Sequence, residues 1–190
     1  MRCFVAVELI AELRQPLVAL LAQLPRSREV RWCTPDQLHV TLKFLGEVPE
    51  ARIPQVCQVL TDVSAGIAPF SIRLSGLGCF PTRQSPRVLW CGVEDAAQGY
   101  GRWVAAADPL LAELGFERES RAYTPHITLG RSKSGDGAAL LREILDRTVK
   151  LPDRPMLVQQ VVLFESRLRP QGAQYIPVAG APLGTAPTGG

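Results

Sequence analysis

A chain of 190 residues has room for one domain or two small lobes, and at this length folding buries roughly 70% of the unfolded surface, so neither a disulfide framework nor a structural metal is required. Five widely spread cysteines, with no C-x-x-C pair and no histidine at zinc spacing, read as buried small residues in a reducing compartment. The net charge of +3 is carried mostly by arginine, which suits a phosphate-bearing partner but not a long nucleic-acid track; with no signal-like start and no apolar run near the roughly 20 residues of a membrane span, a cytoplasmic protein without membrane contact is expected.

Residues Cys3 to Glu8 read as a first strand. Leu9 to Leu24 follows with Ile10, Leu13, Leu17, Leu20, Leu21 and Leu24 at amphipathic-helix spacing, and Pro16 inside it predicts a kink or a restart. Val30 to Cys33 and Leu38 to Leu45 are strands. Pro49 and Glu50 start a second helix with Ile53, Val56, Leu60 and Val63 on its apolar face. Phe70 to Phe80 alternates as a long strand, and the order so far is β-α-β-β-α-β.

The loop Pro81 to Pro86 separates this run from a second one. Val88 to Val93 is a strand, and Ala96 to Leu114 a helix burying Trp103, Leu110, Leu111 and Leu114, stopped by Gly115. Phe116 to Arg121 is expected as a strand, then Pro125 to Arg131, a short helix Ala138 to Leu145, and strands Leu157 to Glu165 and Gln174 to Val178. Residues 179–190, rich in Gly, Ala, Pro and Thr, read as a disordered tail after a single domain over 1–178.

The only two histidines open the same tetrapeptide, His39-Val40-Thr41-Leu42 and His126-Ile127-Thr128-Leu129, 87 positions apart. The same shift carries Leu9 to Ala96, Pro49 to Asp136 and Phe70 to Leu157, each the start of a like element. Such a period marks an internal duplication. The expected fold is α+β, with two pseudo-symmetric lobes whose antiparallel sheets face a central cleft, with helices outside.

Strand alternation puts His39 and Thr41 on one face, His126 and Thr128 on another, and the aliphatic neighbours in the core. A facing pair of imidazoles can hold one protonated and one neutral ring near neutral pH, as concerted acid and base catalysis of a displacement at phosphorus requires. The threonine hydroxyls and Arg131 would then meet the non-bridging phosphate oxygens. A divalent-metal centre is the rival chemistry, but neither tetrapeptide holds Asp or Glu, and no H-x-H, HD or H-E-x-x-H pattern is present.

The segments QLHVTLKFLGEV and YTPHITLGR resemble the two-histidine (2H) phosphoesterase superfamily, and within it the bacterial and archaeal RNA 2′,3′-cyclic phosphodiesterases, also called 2′-5′ RNA ligases. The resemblance runs from MRCFVAVEL to about Val178. It implies a bilobal α+β fold with the active cleft between lobes, no cofactor and no metal, and a substrate RNA ending in a 2′,3′-cyclic phosphate that is opened to a 2′-phosphate. Transfer RNA (tRNA) fragments are expected among the substrates and a monomer as the state of the chain, although the sequence itself does not fix the oligomeric state.

The family motifs H-x-T-x-x-F and H-x-T-x-x-R fall on His39, Thr41, Phe44 and on His126, Thr128, Arg131. By that likeness His39 is the acid for the departing O3′, His126 the base acting on water, Arg131 a phosphate clamp, and Phe44 a platform for the terminal base. With a ribose hydroxyl in place of water the same machinery would make a 2′-5′ linkage. On period alone Phe44 and Arg131, each five residues after a histidine, fall on the opposite face from it, where core packing of Phe44 is the alternative. Lys43 and Tyr123 are expected at the cleft border by nearness in sequence. Two further readings stand beside this one: a nucleotide or RNA-end binding module without turnover, and a phosphodiesterase for a small cyclic nucleotide.

Overall fold

The computed structural model describes residues 1–120, 122–170 and 172–184. The elements in order are β1 (Arg2–Glu8), α1 (Ala11–Gln23), β2 (Val30–Trp32), β3 (His39–Glu47), α2 (Ile53–Ala65), β4 (Phe70–Pro81), β5 (Pro86–Glu94), α3 (Gly99–Glu113), β6 (His126–Ser132), α4 (Gly135–Leu145), β7 (Met156–Val158), β8 (Gln160–Arg169) and β9 (Gly172–Pro182). Turns of 3₁₀ helix at Pro35–Gln37 and Glu50–Arg52 lead into β3 and α2. Among the described residues no helix is long and apolar enough to cross a membrane.

The fold is α+β. The nine described strands form one curled antiparallel sheet in the order β7-β4-β5-β6-β3-β1-β8-β9, with β2 paired to β6. The two halves meet at a single pair, Val40 opposite Ile127, and those residues are 87 positions apart, the repeat interval itself. The pseudo-two-fold relation therefore runs through that pair. Each half draws on both repeats, because β4 pairs with β5 and β8 with β1. Separate facing sheets, as expected from sequence, are thus joined through β3 and β6.

Helices bury the stripes that their periodicity marks: Leu13 and Leu17 on α1, Val56, Leu60 and Val63 on α2, Leu141 and Ile144 on α4. Buried Trp103 of α3 donates its indole N–H to the Ser64 hydroxyl at 3.0 Å, so the one buried hydroxyl of α2 is paired as its burial demands. Helix α3 ends at Gly115, whose φ of +86° suits glycine and allows the Phe116 N–H to reach the Leu111 carbonyl.

Several expectations change. Helix α1 runs through Pro16 without a restart. Leu110 is exposed, because the buried stripe runs Trp103, Ala107, Leu111 at four-residue steps and Leu110 falls at its edge. Residues 116–120 are not a strand. There the Glu117 carbonyl accepts from Lys43 Nζ and the Glu119 N–H donates to Asp108, so side chains replace a ladder; Arg121 lies outside the described residues. The run Leu157 to Glu165 divides into β7, paired with β4, and β8, paired with β1 and β9. Strand β9 continues to Pro182, and Ala181 and Leu183 are buried, so residues 179–183 are part of the fold, while the tail reading for 185–190 lies outside the described residues.

Candidate active site

Both histidine motifs form strands because each alternates aliphatic and polar residues, and the two share a bulge at the same place. On β3, Thr41 lies opposite Ala6 and Lys43 opposite Val5, two steps on one strand against one on its partner. Leu42 and Lys43 consequently both turn inward, and Phe44 returns to the face of His39 and Thr41, with 68% of its surface exposed. On β6, Trp90 lies opposite Thr128 and Leu89 opposite Gly130. Leu129 and Gly130 both turn inward, and Arg131 returns to the face of His126 and Thr128. Only glycine fits at position 130, since a Cβ there would lie 2.4 Å from the Trp32 ring.

The antiparallel pair Val40–Ile127 sets the relation of the motifs. Continuing that register, His39 falls beside Thr128 and Thr41 beside His126, and all four share one sheet face. His39, Thr41, Thr128, Arg131 and Phe44 line a cleft of about 480 Å³ on that face. His126 sits next to this lining, edge-on to Phe80 with ring centroids 4.9 Å apart and 5.9 Å from Trp90. Core packing of Phe44 is excluded by its exposure.

The two imidazoles are held alike. His126 Nδ1 donates to the Thr124 carbonyl at 2.7 Å; a carbonyl only accepts, so in the neutral ring Nε2 carries the free lone pair. The Gln37 backbone, again two residues upstream, favours the charged form of the His39 ring, whose Nε2 meets the Thr41 hydroxyl at 2.9 Å. Burial lowers both below the ordinary histidine value. His39 falls to about 4, burial first, with the charges of His126 and Arg131 acting in the same direction. His126 is also lowered, by burial and then by Arg131. Both rings are neutral at pH 7 in the empty site.

Sequence reasoning missed the aromatic setting of His39. Phe4 stacks on Phe164 at 5.4 Å and lies 4.9 Å from the His39 ring, while Tyr175 meets His39 edge-on at 5.2 Å. These come from β1, β8 and β9, and no spacing in the sequence links Tyr175 to His39. Lys43 and Tyr123 are corrections: Lys43 points inward, 7% exposed and ion-paired to Asp108, and the Tyr123 hydroxyl donates to the Thr41 carbonyl at 2.9 Å from behind the strand. The bulge turns Lys43 away from the cleft.

Among the described residues no group of three or more His, Cys, Asp or Glu is placed to hold a metal ion. The cysteines are unpaired, and burial pushes the Cys33 thiol up to about 11, so it is protonated at neutral pH.

A curled sheet with a duplicated H-x-T-L pair across its midline defines a two-histidine phosphoesterase. Residues 7–90 and 92–175 each match the LigT like phosphoesterase family, and the chain belongs to that family. Curated relatives from several bacteria and archaea carry the name RNA 2′,3′-cyclic phosphodiesterase. One, from Methanothermobacter thermautotrophicus, is 33% identical over 92% of this chain and 94% of its own length. Another, from Geobacillus stearothermophilus, is 33% identical over 98% of this chain but 58% of its own length, so the chain spans little more than half of that relative. A crystal structure of a Thermus thermophilus protein aligns with a TM-score of 0.80 at 30% identity, over 97% of this chain and 99% of that one.

Proposed function

We propose that the chain hydrolyses RNA 2′,3′-cyclic phosphate ends to 2′-phosphates, with protein side chains alone as catalysts. The observation that carries the reading is the quartet His39, Thr41, His126 and Thr128 on one face about the Val40–Ile127 pair, next to Arg131. Names borne by relatives support the substrate class.

In the proposed reaction water attacks phosphorus and the P–O3′ bond breaks. His126 Nε2, left unprotonated by the Thr124 hydrogen bond, takes the proton from water. Protonated His39 gives its proton to O3′, and the 2′-O–P bond stays. Thr41, Thr128 and Arg131 hold the non-bridging oxygens, where preset donors reduce the reorganisation needed as charge develops. Phe44 offers its exposed ring to the terminal base.

His39 has to be protonated for this role, yet burial holds it to about 4 in the empty site. The anionic cyclic phosphate supplies the opposing charge, which raises the pKa of a nearby imidazole. The substrate therefore completes the acid. A ribose hydroxyl in place of water would give a 2′-5′ linkage by the same proton movements.

The test is a short labelled RNA ending in a 2′,3′-cyclic phosphate, incubated with protein in EDTA. A 2′-phosphate product at the rate seen without EDTA is expected. Activity abolished by EDTA and restored by a divalent ion would contradict the reading, as would a 3′-phosphate product.

A further inference from the structure

The cleft holds more positive charge than one phosphate needs. Arg2, Arg31 and Arg131 all line it, and its lining includes no aspartate or glutamate. Among the described residues none of the three is ion-paired to a carboxylate. Arg31 of β2 stands directly opposite Arg131 of β6, an arrangement that is destabilising for like charges unless something of opposite sign lies between or over them.

The internal repeat offers a comparison within the chain. Arg118 occupies the position 87 residues after Arg31, and it faces Asp108, with Nε 3.9 Å from the carboxylate. Of two arginines at equivalent positions, the one away from the cleft has an acidic neighbour and the one in the cleft has none. The Arg31 guanidinium also reaches across to the start of β9, where a Cβ on Gly172 would lie 3.2 Å from its Nη2. It is thus extended along the cleft beside Tyr175, whose hydroxyl feels Arg31, Arg2 and Arg131 together.

We propose that Arg31, assisted by Arg2, forms a second phosphate subsite next to that of Arg131, and that it takes the phosphodiester on the 5′ side of the cyclised nucleotide. The inference rests on the function proposed above and narrows its substrate to an oligonucleotide end over a free nucleoside cyclic phosphate. Two arginines on adjacent strands then receive two neighbouring phosphates, and guanidinium forks suit each. The subsite is blind to base identity, because it touches only backbone.

The experiment compares kcat/KM on a dinucleotide ending in a 2′,3′-cyclic phosphate with kcat/KM on a nucleoside 2′,3′-cyclic monophosphate, for wild type, Arg31→Ala and Arg118→Ala. A second dinucleotide carries a neutral methylphosphonate as its internal linkage. Wild type is expected to favour the charged dinucleotide over the other two substrates about tenfold, the scale of one charge-assisted contact. Arg31→Ala should collapse that preference and lower the salt dependence of log kcat/KM by about 0.7, the value for one phosphate contact on a single strand. Arg118→Ala should keep both. Equal losses on all substrates in Arg31→Ala, or an unaltered preference, overturn the subsite. If wild type turns over nothing, calorimetry with a nucleoside 2′-phosphate and a dinucleotide 2′-phosphate separates the two claims. Tighter dinucleotide binding that Arg31→Ala abolishes keeps the subsite while hydrolysis fails, and equal binding of the two ligands rejects the subsite itself.

Discussion

His39 and His126 each meet the backbone two residues upstream, and each sits against aromatic rings. The backbone groups of Gln37 and Thr124 favour the protonated rings, but burial outweighs them and leaves a pair of neutral bases in the empty cleft. For His39, whose folded value is lowered to about 4 from an ordinary 6.5, the unfolded chain binds more protons between those two values. Stability therefore falls as pH drops from about 6.5 towards 4. Thermal melts over that window should show the decline, and His39→Gln should lessen it; an identical decline in the variant would assign acid sensitivity elsewhere. Nuclear magnetic resonance titration of the His39 ring should also show its pKa rise when a nucleoside 2′-phosphate is added. Phe44, being exposed, has little to lose in stability on truncation. Phe44→Ala should leave Tm within about 2 °C and raise KM for RNA about tenfold, the scale of one lost base–aromatic stack. The histidines and threonines were legible in the sequence because the same residue types recur at the same spacing, a coincidence that chance rarely produces. The side to which Phe44 and Arg131 turn was not, since a bulge depends on the register of the partner strand and a single strand's alternation does not contain it.

Strands β3 and β6 each use that bulge to place two different kinds of residue. On β3 the outward residue is Phe44 and the inward one Lys43, which donates to Asp108 and, at 2.6 Å, to the Glu117 carbonyl. The ion pair ties α3 and the segment after it to the back of the histidine strand. Lys43→Ala removes the closer of the two cations beside Asp108 and leaves that carboxylate with Arg118 and the Glu119 N–H; breaking a buried pair from one side costs about 3 kcal/mol. Urea denaturation should show a loss of unfolding free energy of that order, whereas a loss below about 1 kcal/mol would mean that water replaces the amine. Helices were legible from their apolar stripes, which need only local sequence. The division of Leu157 to Glu165 into β7 and β8 was not, because both pieces are apolar and only their partners, β4 and β1, tell them apart. The end of β9 was hidden for a related reason: its Gly, Ala and Pro residues have poor strand propensity, and pairing along the length of β8 overrides it.

At the scale of the whole molecule, duplication does two things. It builds a sheet whose halves meet at Val40 and Ile127, and it thereby places two copies of one spacing, His-x-Thr, on opposite sides of a midline. A single copy would supply one imidazole; acid and base together require both. The tandem repeat was legible from the interval of 87 residues alone, but the exchange of β4 and β8 between halves was not, because either pairing satisfies the same hydrophobic pattern. In the proposed mechanism the two rings act as one catalytic unit with no help from a metal. The most direct test measures single-turnover opening of an RNA 2′,3′-cyclic phosphate in EDTA by wild type, His39→Ala, His126→Ala and the double variant, with circular dichroism confirming that each is folded. Each single variant is expected to lose about 10² to 10⁴ in rate, and the double variant to lose scarcely more than either, since removing one member already disables the pair. A single variant that retains wild-type rate, or a wild type that binds the RNA end without opening it, would contradict two-histidine catalysis.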